Sequence, residues 1–125
     1  MSNVSTCITY DASTSLILVT LKGTASAQDV INFYKIAQHY SVLYNSNRIL
    51  VDVSQVTHQF PATDLLNIMP TIASWLKQTA IARVVSFDGF MNDLFVQKAK
   101  RFNLNTENFE SVQTAKNWLL EQPSF

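Results

Sequence analysis

The segment Arg48–Val53, with the sequence RILVDV, decides the fold of this 125-residue chain. Its aliphatic and β-branched residues lack the strict polar alternation of a half-exposed strand, so it is predicted to be a strand buried on both faces of a sheet. Leu16–Leu21 (LILVTL) has the same character, and Ala80–Phe87 (AIARVVSF) is predicted as a further strand. Strands of this kind, separated by helical patterns, predict a mostly parallel sheet with helices packed against it.

A hairpin and a capped helix precede that segment. Ile8–Tyr10 is predicted as a short strand, and a short polar turn joins it to Leu16–Leu21, so these two strands are expected to pair antiparallel. Ser26 and, three residues later, Asp29 form a capping-box pattern. The apolar spacing that follows predicts a helix that ends near Tyr44.

Two prolines mark the second helix. The polar stretch Ser54–Phe60 is predicted as a loop, and Pro61 suits the first turn of a helix because its missing N–H is not needed there. The apolar stripe that follows is wide, which indicates a helix buried on more than one side. Pro70 falls inside this helix and is expected to kink it.

The last third of the chain predicts a helix, a short strand and a final helix. Asn92 or Asp93 is expected to cap the third helix, a strand follows around Thr106–Phe109, and Ser111 is expected to cap the last helix. The residues predicted to face inward are Leu94, Phe95, Ala99 and Phe102 in the third helix and Val112, Ala115, Trp118 and Leu119 in the fourth. The predicted fold is a single α/β domain over residues 1–125, in the order ββαβαβαβα. It has a mostly parallel five-stranded sheet with an antiparallel edge strand and four helices.

Composition excludes several classes of protein. Nine basic and nine acidic side chains cancel, so no long-range attraction to nucleic acid or to an anionic membrane is expected. A net charge near zero protects little against self-association, which makes a homodimer compatible with the sequence. The two glycines, Gly23 and Gly89, lie far apart, whereas phosphate-binding loops need several close together. A nucleotide-binding loop is therefore excluded.

Cysteine content and apolar runs indicate the compartment. Cys7 is the only cysteine, so no internal disulfide can form, and with two histidines the chain lacks the ligand set of a zinc site. No metal or cofactor is expected. Met1–Thr6 lacks the basic and apolar regions of a signal peptide, and runs such as Leu16–Val19 are far too short to span a membrane. We therefore expect a cytoplasmic protein without membrane insertion.

Three segments together resemble the SpoIIAA-like and STAS-like domain family, which is related to the SEC14-type fold. They are the hairpin from Ile8 to Gly23 that leads into a capped helix, the strand and turn Arg48–Val56 (RILVDVSQV), and the closing strand, cap and helix Phe109–Leu119 (FESVQTAKNWL). The resemblance implies a non-catalytic regulatory or protein-interaction module. The relation to SEC14-type folds implies, as the alternative, a small-molecule or lipid-binding domain with an apolar pocket.

One motif of that family is missing. In anti-sigma-factor antagonists the loop after the corresponding strand carries Asp-Ser-Ser-Gly, whose serine is phosphorylated at a helix N-terminus. The corresponding stretch here is Phe60–Thr63 (FPAT), so the phosphoserine switch is not expected. Thr63 is interpreted as a partial helix cap, and the sequence leaves open whether Thr63 or Ser54 is ever phosphorylated.

Polar side chains follow several predicted strands. Because the carboxyl ends of parallel strands meet at one edge of a sheet, these side chains are expected to form a rim at which a ligand or partner binds. Loop solvation and helix capping are the alternative explanation. The predicted rim consists of Ser54, Thr57, His58, Ser86, Asp88 and Asn92, joined by Lys22 and Thr24.

An enzyme would need a catalytic constellation at that rim. His58 and Asp88 are the candidates for an acid–base pair, because a carboxylate orients an imidazole and raises its pKa. No nucleophile motif or metal-ligand spacing accompanies them, and a solvated loop histidine is the simpler explanation. No catalytic residue is assigned, and the chain is not predicted to be an enzyme.

Aromatic residues offer a second candidate site. Phe33 and Tyr40 of the first helix, packed with Trp75 of the second, are predicted to wall an apolar pocket for a lipid or an aromatic ligand. Core packing or a subunit interface is the alternative explanation. Two hypotheses therefore stand: a regulatory module that binds a protein partner or a second copy through a rim that includes Phe90–Leu94, and a domain that binds a small apolar ligand.

Overall fold

Strands and helices follow one another along the chain in the predicted order. The computed structural model describes residues 3–86 and 90–123. The strands are β1 (Asn3–Asp11), β2 (Leu16–Ala25), β3 (Arg48–His58), β4 (Ala80–Val84) and β5 (Asn105–Phe109). The helices are α1 (Ala27–Tyr44), α2 (Ala62–Trp75), α3 (Phe90–Arg101) and α4 (Val112–Glu121).

The five strands form one sheet in the order β1-β2-β3-β4-β5. β1 pairs antiparallel with β2, and the other three pairs are parallel. The antiparallel edge strand, the mostly parallel sheet and the four helices confirm the predicted fold class. Right-handed crossovers between consecutive parallel strands place the three connecting helices on one face of the sheet.

Two apolar cores lie on the two faces of the sheet. Successive residues of β3 contribute to opposite cores. Ile49 and Val51 belong to the core with α1, α2 and α3, whereas Leu50 belongs to the core with α4. This division follows from the pleat, because successive side chains of a strand point to opposite faces. α4 packs on the second face through Ala115 and Leu119, which are fully buried.

Local signals set several helix ends as predicted. Ser26 caps α1 in a complete capping box: its hydroxyl accepts from the Asp29 N–H, and the Asp29 carboxylate accepts from the Ser26 N–H at 2.9 Å. α1 ends at Tyr44, and its C-cap residue Asn45 adopts a left-handed conformation with φ 51°. Ser111 caps α4 through its side chain, and Pro70 lies inside α2.

The stretch Ser54–His58 is part of a strand, so its prediction as a loop was wrong. β3 continues to His58 and pairs with the end of β2. The register between β2 and β3 shifts because β3 holds one extra residue after Asp52. The Asp52 carboxylate accepts a hydrogen bond from the Ser54 N–H at 3.0 Å and another from the Ser54 hydroxyl at 2.6 Å. A bulge of this kind changes which residues face each side of the strand. Val56 and His58 consequently lie on the side of the core with α1, α2 and α3.

Other strand ends also differ from the predictions. β1 covers nine residues rather than Ile8–Tyr10, because every residue from Asn3 to Asp11 pairs with β2. β4 ends at Val84, earlier than predicted. Val4, Ile8 and Tyr10 face the core at alternate positions, but Thr6 interrupts this period, which hid the first half of the strand.

Two predictions about α3 and one about α4 were wrong. α3 begins at Phe90, so neither Asn92 nor Asp93 lies at its N-cap. Phe102 and Val112 were predicted to face inward but are exposed. Phe102 follows the last residue of α3 and Val112 is the first residue of α4, so neither lies inside a regular helix where the apolar spacing would orient it.

Candidate functional site

A groove opens where β4 ends before β3. The last pair between the two strands joins Asp52 to Val84, whereas β3 continues to His58. Among the described residues, Ser54–His58 therefore has no strand neighbour on that side. The start of α3 lies across the gap, and the groove has a volume of about 460 Å³. Its lining consists of Ser54, Gln55, Val56, Thr57, His58, Ser86, Phe90, Met91 and Asn92.

The structure brings together most of the predicted rim. Asp88 lies outside the described residues. Lys22 and Thr24 belong to β2, where they pair with residues of β1 and β3, and they do not line the groove. The rule that the carboxyl ends of parallel strands meet at one edge therefore located the groove. The five predicted rim residues in its lining are Ser54, Thr57, His58, Ser86 and Asn92.

The two walls of the groove differ in chemistry. The β3 wall offers a strand edge and short polar side chains, of which the Ser54 hydroxyl already donates to the Asp52 carboxylate. The α3 wall offers the ring of Phe90, which is 73% exposed, and the partly buried Met91. Asn92 is buried at the same wall. The groove thus combines hydrogen-bonding groups on one side with an exposed aromatic ring on the other.

A buried arginine that the sequence analysis did not single out lies next to this wall. Arg83 of β4 is 2% exposed. Its guanidinium donates to the side-chain oxygen of Asn92 at 3.0 Å, to the main-chain oxygen of Asn92 at 3.4 Å and to the side-chain oxygen of Asn108 at 3.1 Å. Its Cζ lies 4.1 Å from the centre of the Phe95 ring, a cation–π contact. These contacts join β4, β5 and α3.

The signal for this arginine was present in the sequence. Arg83 is a charged residue in the otherwise apolar strand Ala80–Val84 (AIARV). A charge in a buried strand is costly unless other groups compensate it, so such a residue points to a structural or functional network. The partners themselves lie on other elements, and no local spacing indicates Asn92 or Asn108.

His58 lies between the groove and the core. It lines the groove and also a small apolar cavity on the core side. Its ring packs edge-to-face against Phe60, with 5.7 Å between the ring centres. Burial lowers the pKa of His58 from 6.5 to about 4, and the positive charge of Arg83 contributes in the same direction. His58 is therefore uncharged at neutral pH.

The predicted acid–base pair of His58 and Asp88 falls partly outside the described residues and stays a prediction. An imidazole whose pKa is about 4 is a weak base at neutral pH, which makes His58 poorly suited to general-base catalysis. Within residues 3–86 and 90–123, no three acidic, histidine or cysteine side chains lie close enough together to hold a metal ion.

The apolar cavity on the core side of His58 offers little space for a ligand. The cavity on the core side of His58 has a volume of about 30 Å³. That is room for about one water molecule, whereas ligand pockets have volumes of roughly 300–1,000 Å³. Phe33 lines this cavity, but Tyr40 and Trp75 do not. The three residues of the predicted apolar pocket therefore do not share it.

Tyr40 and Trp75 lie elsewhere because of their positions along the helices. Tyr40 follows Phe33 by seven residues, which places it about 10 Å further along the axis of α1. There it stacks on Tyr44 with 6.0 Å between ring centres, and Tyr44 stacks on Tyr10 of β1 at 4.3 Å. Trp75 is the last residue of α2 and packs half-buried against the core.

Among the described helices, none is both long enough and apolar enough to cross a membrane.

Two solved structures have the same architecture. An anti-sigma factor antagonist from Mycobacterium paratuberculosis superposes with a TM-score of 0.62 and 13% sequence identity, covering 93% of each chain. An uncharacterised protein with a SpoIIAA-like fold from Shewanella loihica superposes with a TM-score of 0.58 and 15% identity, covering 94% of each chain. No family model matches the sequence, and no curated protein matches it. The chain therefore has a SpoIIAA-like fold, which confirms the resemblance found in the sequence.

Proposed function

We propose that this SpoIIAA-like domain is a non-catalytic regulatory module that binds an extended segment of a protein partner in the groove between β3 and α3. The observation that carries the proposal is the edge of Ser54–His58, which has no strand neighbour on the β4 side among the described residues and runs along one wall of the groove. A strand edge without a neighbour presents backbone N–H and C=O groups that an added strand can pair with. Peptide recognition by strand addition uses such edges.

The opposite wall supports a protein ligand. Phe90 is the most exposed aromatic side chain among the described residues, and it lies directly at the groove. Exposed aromatic residues next to a concave polar surface are typical anchors of protein interfaces. The volume of about 460 Å³ accommodates a few side chains of a bound segment.

The similar structure from Mycobacterium paratuberculosis is an anti-sigma factor antagonist, a name that implies action on another protein. At 13% identity it establishes the fold, and its mode of action enters here as support for the proposal. The proposal also places the protein in the cytoplasm, since Cys7 is exposed and unpaired, as expected in a reducing compartment.

The proposed module works without the phosphoserine switch of that family. The stretch Phe60–Thr63 lacks the Asp-Ser-Ser-Gly motif. Thr63 is exposed in the first turn of α2 and does not line the groove. Regulation would then depend on the amount of partner or on a ligand.

Affinity capture from an extract of the source organism tests the proposal. The wild-type protein and the variants Phe90→Ser and Val42→Ser are compared, because both side chains are 73% exposed and Val42 lies on α1, away from the groove. We expect a stoichiometric partner that the wild type and Val42→Ser retain and that Phe90→Ser loses. Equal recovery by all three proteins, or repeated recovery of the bare protein alone, contradicts the proposal.

A small polar ligand is the second candidate. The groove volume lies within the range of small-molecule pockets, and its lining is rich in hydroxyl and amide groups. Native mass spectrometry of the purified protein tests this alternative. A bound ligand should add its mass to the wild-type protein, and Ser54→Trp, which fills the groove, should remove that added mass. The apolar cavity on the core side of His58, at about 30 Å³, is far too small for the predicted lipid.

A further inference from the structure

We propose that Arg83 binds a small monovalent anion, of about the size of chloride, in the cavity on the core side of the groove. This site adjoins the proposed partner groove, with which it shares Val56, His58 and Met91, but Arg83 lines only the cavity. The cavity has a volume of about 30 Å³, and Arg83, Tyr34 and His58 line it together with apolar side chains. A space of this size holds an occupant like a single water molecule and excludes sulfate or phosphate.

The charge of Arg83 has no carboxylate partner among the described residues. The acceptors of its hydrogen bonds are the uncharged oxygens of Asn92, Asn108 and Tyr34, and its guanidinium also lies over the Phe95 ring. A buried charge loses its hydration, and uncharged acceptors restore only part of that loss. A bound anion would supply the missing negative charge.

One donor of the guanidinium is also unused. The Arg83 Nε–H is buried and has no hydrogen-bond acceptor among residues 3–86 and 90–123. Unsatisfied donors of a charged group are costly, so each one in a folded protein calls for an explanation. Because Arg83 lines the cavity, an anion placed there can accept from a donor that the protein leaves unpaired.

The neighbours of the cavity are compatible with an anion. Tyr34 is buried beside Arg83, and its hydroxyl oxygen accepts a hydrogen bond from the guanidinium. Burial raises the pKa of this hydroxyl, so it keeps its proton, which an anion can accept. Asp29 is the carboxylate among the lining residues, and it accepts from the Ser26 N–H in the capping box. We therefore expect the anion beside Arg83, on the side away from Asp29, and only moderate affinity.

Halide-dependent unfolding tests the site. The full chain is melted in potassium bromide and in potassium gluconate of equal ionic strength. At ten times the dissociation constant, bromide should shift the ratio of folded to unfolded protein about ten-fold in favour of the folded state. For a domain of this size, that shift raises Tm by roughly 4 °C. Sulfate should give no such rise beyond its general salt effect, since it does not fit the cavity.

Two arginine variants separate the site from general ion effects. Arg83→Met should remove the bromide response. Arg48→Met is the matched control, because Arg48 Nε is likewise buried without an acceptor but does not line the cavity. If Arg83→Met does not fold, anomalous diffraction from wild-type crystals grown in bromide decides, with a peak expected within hydrogen-bond distance of Arg83.

Three results would overturn the proposal. They are a bromide response that Arg83→Met retains, the absence of any response together with the absence of an anomalous peak, and a response that appears only in Asp88→Asn. The last result would show that the Asp88 carboxylate, rather than a bound anion, is the counter-charge of Arg83. None of these results bears on partner binding by Phe90, so the two proposals fail independently.

Discussion

The Arg83 guanidinium donates to the Asn92 side-chain oxygen at 3.0 Å, and this hydrogen bond joins the end of β4 to the first turn of α3. The same turn carries Phe90 and Met91 into the groove. Asn108 of β5 adds a further hydrogen bond to the Asn92 main-chain oxygen at 2.9 Å. The position of the aromatic groove wall therefore depends on a buried polar network.

Removal of the Asn92 side chain should destabilise the protein. Asn92→Ala takes one acceptor from a buried guanidinium, and the expected loss in the free energy of unfolding is about 2 kcal/mol. Urea unfolding measures this loss. Asn92→Asp keeps the acceptor and should be less destabilised than Asn92→Ala, and the exposed Asn67→Ala should change little. Equal losses in Asn92→Ala and Asn67→Ala would show that the network does not stabilise the fold.

His58 should make the stability depend on pH. Its pKa is lowered from 6.5 to about 4 in the folded protein, so the unfolded chain binds a proton in this range that the folded chain does not. The free energy of unfolding should therefore fall as the pH decreases from about 6.5 to 4. Because the ring is partly exposed and solvent screens it, the contribution is on the order of 2 kcal/mol.

Denaturant unfolding across that pH range measures the effect of His58. His58→Gln should flatten the pH dependence, whereas the exposed His39→Gln should leave it as in the wild type. A slope that survives in His58→Gln would contradict the burial and charge effects described for this ring.

The capping box should stabilise α1. Ser26→Ala removes the hydroxyl that accepts from the Asp29 N–H at 3.2 Å, and the expected cost is about 1 kcal/mol. Thermal or urea unfolding measures this change. Ser74→Ala is a suitable control, since its hydroxyl bonds only to a carbonyl of its own helix, the Thr71 oxygen, and the side chain is exposed. A loss as large in Ser74→Ala would argue against a specific role of the cap.

Thr63 should not act as a switch. Its side chain is exposed at the start of α2 and is not part of the groove lining. Thr63→Glu should therefore bind the captured partner within about two-fold of the wild type, a difference well under 1 kcal/mol. Isothermal titration calorimetry measures the dissociation constant. A ten-fold loss of affinity would indicate that phosphorylation of Thr63 can control partner binding.

Local chemistry made much of this fold predictable. Aliphatic runs fixed β2 and β3, and the side chains of Ser26 and Ser111 marked helix starts that the structure confirms. Because strand ends meet at one edge of a parallel sheet, Ser54 and Asn92 were predicted to lie close together, and both line the groove. The strands and helix starts follow from spacing within a few residues, and the shared groove follows from the topology of a parallel sheet.

Features that depend on distant partners were missed. β3 extends through Ser54–His58 because β2 runs beside it and Asp52 holds the bulge, and the polar residues there carry no strand pattern. The role of Asn92 depends on Arg83 rather than on a helix cap. Tyr40 shares an apolar spacing with Phe33, but nothing in that spacing says how far apart the two rings lie.

The measurement that tests the central claim most directly is a map of backbone amide chemical shifts when the captured partner is added to the labelled protein. We predict that the largest changes fall on Ser54–His58 and on the start of α3 at Met91 and Asn92, because the partner segment pairs with the free edge of β3 and contacts Phe90. Changes confined to β1 or α4, with both groove walls unperturbed, would contradict partner binding in the groove between β3 and α3.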